Sequence, residues 1–534
     1  MSPARILPVG DAALTLELGR DLDPVVNARV RAIDLALRAA PFPGLLEAVP
    51  AYSSLLAVYD PARSGFGEAR AALERLVDAA VPLAAPGRVH VLPTVYGGED
   101  GPDLVEVARR CGLSEDDVIA RHAAGEYTAF FVGFLPGFAY LGELDAALDT
   151  PRRATPRTRV GAGSVAIAGR QTGVYPFASP GGWNLIGRTG EVLFEATSER
   201  PALVEPGDRV RFARVDTLPP RAASAAPPPA SAPAIEVIDG GLLTTVQDAG
   251  RRGHRRLGVP WCGALDAEAM AAANLAVGNA RAAAGLECTA AGPTLRFLAT
   301  TRFALTGADL GAVLERADLG TWTVPLGRVV VARAGNVLML RERRAGLRAY
   351  VAFAGGIDVP AVLGSRATDL LARFGGYLGR ALRAGDMLAL GPPATAPTDM
   401  PPPVAKPTGA GPLTVRVVPG PQDDAFTPEA CAALENETWQ VGPLSDRTAC
   451  RLQGAVLEHK GPGEILTDGM VPGCVQAPPD GRPIVMLADG PTTGGYPKIA
   501  TVITADLPRL AQLVPGDRLR FAAVSVEGAQ RLRA

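Results

Sequence analysis

Asp468, Asp489 and Lys498 are the residues whose types and spacing point most directly to chemistry. Asp468-Gly469 follows a strand expected at Glu464–Leu466, and Asp489-Gly490 follows the apolar run Ile484-Val485-Met486-Leu487-Ala488. Lys498 closes the segment Thr492-Thr493-Gly494-Gly495-Tyr496-Pro497. An acid at the end of an apolar strand, ahead of a glycine turn, projects from a rigid element into a loop-lined cleft. Paired with a lysine, it lets one group orient water while the other stabilises developing negative charge. The same Asp-Gly steps also read as ordinary turns, and a lysine as a solvated surface charge. Lysine is scarce here: of 53 basic residues only Lys406, Lys460 and Lys498 are lysine. That scarcity, in a chain biased towards arginine, makes Lys498 a candidate for a role that a guanidinium cannot fill.

A second concentration of unusual sequence runs from Tyr127 to Thr189. It holds Phe134-Leu135-Pro136-Gly137-Phe138, then Gly163-Ser164-Val165, Gln171-Thr172-Gly173-Val174-Tyr175-Pro176 and Ser179-Pro180-Gly181-Gly182-Trp183. Gly and Pro at this density fix special backbone angles, and N–H groups held in such turns can form anion-binding nests. Tight turns of an all-β domain are the other reading. The candidate substrate- or nucleotide-binding residues are Phe134, Gly137, Phe138, Ser164, Gln171, Thr172, Tyr175, Ser179, Gly181, Gly182, Trp183 and Arg188, joined by Thr493, Gly494 and Tyr496. His122, near the C-terminal end of a helix started by Ser114, is either a capping histidine or a proton donor or anion ligand beside the Gly-Pro loop.

The elements that must position these groups fall into three blocks. Residues 217–234 and 391–412 are Ala/Pro-rich, cannot pack a core, and read as semi-stiff linkers. In the first block, alternation at Leu14, Leu16 and Leu18 predicts a strand. The spacing of Val26, Val30, Ile33 and Leu37 predicts a helix begun at Asp23-Pro24. Strands near Gly44–Val49 and Ser54–Tyr59 and a helix near Glu68–Ala79 complete an open α/β sheet. A strand at Arg88–Pro93 follows, then helices at Asp103–Cys111 and from Ser114. Each block closes on a Gly-Asp turn and an alternating strand (Gly207-Asp208, Gly385-Asp386, Gly516-Asp517), and each carries an upstream Gly-x-Tyr element. Shared ordered marks predict copies of one β-barrel-like unit.

Those same motifs carry a family resemblance. The Phe134–Phe138, Gly163–Val165, Gln171–Pro176 and Ser179–Trp183 segments resemble the B component of the bacterial ATP-dependent 5-oxoprolinase, a family also named allophanate hydrolase subunit 1 and the sporulation-kinase inhibitor. Gly258-Val259-Pro260, Gly263-Ala264-Leu265-Asp266, Gly355–Pro360, Asp446-Arg447, Thr467-Asp468-Gly469 and Thr492–Lys498 resemble its partner, the C component, also called allophanate hydrolase subunit 2 or the kinase-inhibitor antagonist. Both resemble the carboxyltransferase part of urea carboxylase. The resemblance implies a mainly β, multidomain fold with an α/β N-terminal part and about three cyclophilin-like β-barrels. It divides the chain into 1–84 (α/β), 85–216 (first barrel), 235–391 (second) and 412–534 (third), with linkers at 217–234 and 392–411. It implies ATP, with Mg, as cosubstrate at a site not located, and 5-oxo-L-proline as substrate. It also implies a separate A component of the LamB/YcsF type, without which the chain is inactive.

Other classes are set aside on composition. A net charge of -2 with no basic stripe argues against nucleic acid. No apolar run reaches membrane-spanning length, and the six cysteines show no CxxC or zinc spacing, so no membrane or metal is expected and the cytoplasm is. Walker-type GxxxxGK[ST] and GxSxG motifs are missing. No lysine has a methionine neighbour, so the chain lacks the usual biotin-acceptor pattern. Two alternatives stay open: a carboxyltransferase served by a biotin-carrying partner, and a non-enzymatic kinase regulator.

Overall fold

A computed structural model of the chain describes residues 4–79, 87–218, 232–393 and 411–532. Most of both predicted linkers, Lys406 with them, lies outside the described residues. The first block opens with a four-stranded antiparallel sheet in the order Arg5–Pro8, Ala13–Glu17, Ser54–Tyr59, Leu45–Pro50. Helices Pro24–Ala39 and Phe66–Ala79 bury their apolar stripes on it, including Val30, Ile33, Leu37 and Leu73. Asp23 caps the first helix by accepting from the Val25 N–H, with Pro24 pre-set in the first turn. Further on, Leu104–Cys111 ends on Gly112 at φ 68°, and Ser114 with Asp117 forms a complete capping box for Glu115–Ala124.

Two seven-stranded barrels close. In the first, Arg209–Arg214 runs parallel to Val89–Tyr96 on one side and antiparallel to Glu126–Val132 on the other. The last repeats this pattern: Arg518–Ala523 pairs parallel with Leu413–Pro419 and antiparallel with Trp439–Val441. The expected third barrel does not close. In the middle block, Met387–Ala389 pairs antiparallel with Pro233–Asp239 and forms the edge of a six-stranded sheet. A separate five-stranded sheet faces the shared core of Phe297, Phe303, Leu314 and Val351. The Gly-Asp turn thus delivers a last strand beside the first in all three blocks, and the direction of that pairing decides between barrel and open sheets. The predicted strand at Glu464–Leu466 is also displaced: the short strand begins at Asp468 and pairs with Gly494.

Buried charge holds the blocks together. The segment from Arg251 to Gly263 passes between all of them. The Glu47 carboxylate accepts the Gly253 and Arg255 N–H groups, both at 3.2 Å, and the Trp261 indole N–H. The Gly137 N–H donates to Leu257 O at 2.9 Å, and a Cβ at Gly258 would sit 2.1 Å from Leu135 O, so only glycine fits there. Asp489, predicted as a catalytic acid, belongs to this scaffold. Arg447 grips it through two bonds of 2.9 and 2.8 Å while also binding Glu287 of the middle block and Gly263 O at 2.7 Å. Burial pushes the Asp489 carboxyl up, against the pull of Arg447. Removing one member of such a cluster leaves a buried charge uncompensated, so Arg447→Ala is expected to cost about 3–5 kcal/mol in denaturant unfolding. A loss below about 1 kcal/mol would contradict this account of the junction.

Candidate functional site

The two sequence-predicted regions meet at a seam between the closed barrels. The Gly133–Phe138 turn leaves the strand Glu126–Val132 and places Phe134 at φ 65°, in the left-handed region. Its N–H donates to Thr493 Oγ1 at 3.0 Å, and a Cβ on Gly133 would lie 2.3 Å from that same oxygen. Behind the turn, Phe138, Tyr140, Tyr175 and Trp183 pack edge to face, with ring centroids 4.9–5.9 Å apart. Tyr52 of the N-terminal sheet joins this cluster and donates to Gln171 Oε1 at 2.5 Å. Gly181 has no room for a side chain, since a Cβ would lie 2.4 Å from the Tyr175 hydroxyl. The Tyr140 hydroxyl faces Thr467 and Thr493, and burial pushes its pKa up to about 12, so it is a hydrogen-bond donor at neutral pH.

From the other side come Asp468 and Lys498. Their ion pair is 2.9 Å long, with the lysine side chain fully buried. Asp468 also accepts from Ser54 Oγ at 2.5 Å, its own neighbour Gly469 N–H at 2.7 Å and Gln422 Nε2 at 3.2 Å. Burial acts to raise the Asp468 pKa, but Lys498, Ser54 and the Gly469 N–H together hold it below the usual carboxylate range. Of the two aspartates that sequence offers as partners for Lys498, it is Asp468 that pairs with it, buried beside the half-buried Gly494, Gly495 and Tyr496. In this arrangement Lys498 is committed to Asp468 and fixes the rim from below.

Other sequence-predicted residues are held in protein-internal contacts. The Gly133–Phe138 turn is no anion cradle: each of its N–H groups donates to a protein acceptor, Gly133 to Phe138 O, Leu135 to Gly133 O, Phe138 to Leu135 O, Phe134 to Thr493 and Gly137 to Leu257. His122 is neither cap nor proton donor. It is fully buried in the first barrel, packed at a tilt against Phe212 and Tyr127, with Nδ1 2.8 Å from the Tyr96 hydroxyl and Nε2 2.8 Å from Thr172 Oγ1. Thr172 gives its own hydrogen to Ala166 O, which assigns the Nε2–H tautomer and gives Thr172 a structural role. Desolvation lowers the His122 pKa to about 3. Arg188 turns away from the seam to pair with Asp100 at 2.7 Å and to line a cavity of about 460 Å³ with Arg159 and Thr189. Ser164 is buried in a strand, paired with Arg188, and the Ser179 hydroxyl donates to Pro180 O at 3.2 Å. Gly182 O accepts the Arg153 N–H.

A model for carboxyltransferase subdomains A and B matches residues 257–523, and one for subdomains C and D matches residues 4–204. The chain belongs to the carboxyltransferase-domain family. Its C-terminal part is 41% identical over 303 residues to the C component of 5-oxoprolinase from Escherichia coli strain K12, covering 56% of this chain and 94% of that protein. Its N-terminal part is 45% identical over 213 residues to the B component of 5-oxoprolinase from Escherichia coli O157:H7, covering 40% of this chain and 96% of that protein. Among solved structures, TTHA0988 is 38% identical with a TM-score of 0.83, over 96% of this chain and 99% of its own. The urea carboxylase of Kluyveromyces lactis is 31% identical with a TM-score of 0.52, over 59% of this chain and 29% of its own. This carboxyltransferase-domain chain is therefore a fusion of two halves, one similar to the B component and the other to the C component.

In this member of the family, the seam uses residues that local sequence does not mark. Tyr52 and Ser54 lie in an ordinary Ala-Tyr-Ser-Ser turn, and Gln422 follows Gly420-Pro421 without a motif. Tyr140 sits inside the Gly-Pro stretch, but its polar neighbours Thr467 and Thr493 come from the other half. Among the described residues no three His, Cys, Asp or Glu side chains group as a metal site, and no helix is long and apolar enough to cross a membrane. Because the folded His122 refuses a proton that the unfolded chain accepts at its usual pKa of 6.5, stability is expected to fall as pH drops from about 6.5 towards 3, at up to about 1.4 kcal/mol per pH unit. Nitrogen-resolved NMR at pH 5 is expected to show His122 neutral with the proton on Nε2. An imidazolium there would contradict its assignment to the core.

Proposed function

We propose that this chain is the fused B–C component of an ATP-dependent 5-oxoprolinase. In that reading it acts with a LamB/YcsF-type A component to open 5-oxo-L-proline to L-glutamate. The observation that carries the reading is the assembly of one seam from both halves, each of which is similar over nearly the whole of its relative to a protein named as part of a 5-oxoprolinase. A lactam carbonyl is a poor electrophile, and ATP supplies the phosphoryl group that turns its oxygen into a leaving group. Two waters are consumed overall, and the products are L-glutamate, ADP and phosphate. The protonated Tyr140 phenol can donate to a substrate oxygen. The Arg152 guanidinium, which lies close enough to the Tyr140 and Tyr175 rings to influence their titration, offers a cation for the substrate carboxylate or a phosphate. Asp468 and Lys498 hold the Gly494–Tyr496 rim in register through the Asp468–Gly494 strand pair.

The similarity to urea carboxylase favours one second reading, carboxyl transfer from a biotin-carrying partner to a urea-like amide. Glutamate and phosphate release from 5-oxo-L-proline and ATP separates the two. The chain is expected to be inactive alone and active with a LamB/YcsF-type partner. In the active mixture Tyr140→Phe is expected to lower turnover by about 10²–10³, the usual effect of removing one donor to a developing oxyanion. No glutamate from either mixture, with both proteins folded, would overturn the oxoprolinase reading, and carboxybiotin-dependent carboxylation of urea would put the second in its place.

A further inference from the structure

The segment Pro151–Arg157 carries three arginines, and two of them are already paired. Arg153 reaches Asp103 Oδ1 at 2.7 Å, and Arg157 takes both Asp103 oxygens at 2.8 Å. Asp103 is buried and also accepts the Leu185 N–H at 2.8 Å. Those bonds fill its lone pairs, so it has none left for a third guanidinium. Arg152 has no hydrogen-bond or ion-pair partner among the described residues, and its side chain is exposed. Its backbone is nonetheless fixed. On one side Pro151 O accepts from Asn184 Nδ2 at 2.9 Å, and on the other the Arg153 N–H donates to Gly182 O at 2.8 Å. A Cβ on Gly495 would lie 3.9 Å from Arg152 Nη1 and 3.6 Å from Thr467 Oγ1, so the guanidinium reaches the rim that the other half contributes. Its charge also acts on the Tyr52, Tyr140 and Tyr175 phenols, whose titration burial otherwise governs.

An exposed arginine is commonplace in so arginine-rich a chain. A free guanidinium on a backbone held from both sides, where the two halves meet, has the form of a ligand anchor. Fixing the main chain before binding removes part of the ordering cost of capturing a ligand. One guanidinium matches one carboxylate in charge and through two parallel N–H···O bonds. The phosphates of a nucleotide carry more charge and draw on free backbone N–H groups or a lysine. At the seam the N–H groups of the Gly133–Phe138 turn are taken, and Lys498 is held by Asp468. Resting on the oxoprolinase reading, we propose that Arg152 is the specificity-determining residue of the seam: it pairs with the carboxylate of the substrate, and the phosphates of ATP are held away from it. The substrate class is then a small cyclic amide that carries a carboxylate.

Steady-state turnover by the full chain with a LamB/YcsF-type partner tests this, with 5-oxo-L-proline and ATP varied separately. Arg152→Gln is expected to raise the KM for 5-oxo-L-proline by about 10–100-fold, the usual effect of losing a charge-assisted pair. Its kcat and its KM for ATP are expected to stay within about threefold of wild type, since the pair is made equally in ground and transition states. Arg152→Lys, which keeps the charge but not the fork, is expected to recover part of the loss. Both variants are expected to unfold at the wild-type midpoint, because Arg152 has no partner inside the chain to lose. A KM for 5-oxo-L-proline within about threefold of wild type, a KM for ATP raised as much, or a loss confined to kcat would each overturn the assignment while leaving the oxoprolinase reading in place. No glutamate from the wild-type mixture would overturn the reading and the assignment together.

Discussion

Buried carboxylates need donors, and at Asp468, Glu47 and Glu287 donors come from across block boundaries. Asp468 of the last barrel is satisfied by Lys498 from its own barrel and by Ser54 from the first sheet, 414 residues away in sequence. Glu47 takes two backbone N–H groups and an indole from the middle block, and Glu287 takes a guanidinium from the last. Each is a charge that would be expensive to bury if the blocks separated. The seam follows from this constraint. Phe134 and Thr493 share their hydrogen bond between two barrels whose neighbouring blocks are tied together in this way. Joining both halves in one polypeptide reinforces the same geometry covalently.

Features governed by neighbours in sequence are legible without the structure. Asp23-Pro24, the Ser114–Asp117 capping box and Gly112 announce helix ends through chemistry completed within a turn, and all three end their helices as the residues imply. That Lys498 meets an acid is legible from its scarcity and its rigid Gly-Gly-Tyr-Pro turn, but which of the two aspartates it meets is not, and the strand expected ahead of Asp468 begins at Asp468 instead. Features governed by distant partners are not. A Gly-Asp turn marks a last strand but not whether it runs parallel to the first, so the middle block reads as a third barrel and folds as open sheets. Helix position places His122 near a terminus, yet only the barrel interior, with Tyr96 and Thr172 on its two nitrogens, reveals a neutral core residue. Gly-Pro spacing marks a sharp turn at Phe134–Phe138 but not that its N–H groups are already committed. Asp489 looks like Asp468 in sequence and differs because Arg447, itself bound to Glu287, takes its carboxylate.

The seam's chemistry is that of uncharged donors above a locked ion pair. Tyr140 is kept protonated by burial, Tyr52 is held by Gln171, and Asp468 stays ionised because Lys498 and Ser54 stabilise it. Such a surface is preorganised, with its polar groups aimed during folding, as catalysis by electrostatic stabilisation requires. It also has few mobile charges of its own, in keeping with the proposed reliance on a partner component for phosphoryl chemistry.

On the function proposed above, substrate meets this chain at the seam between its two closed barrels. Hydrogen–deuterium exchange on the chain together with a LamB/YcsF-type partner, with and without 5-oxo-L-proline and a non-hydrolysable ATP analogue, tests it most directly. Ligands are expected to slow exchange in peptides covering residues 133–140 and 493–498. Ligand protection that leaves both of those segments unchanged would contradict it.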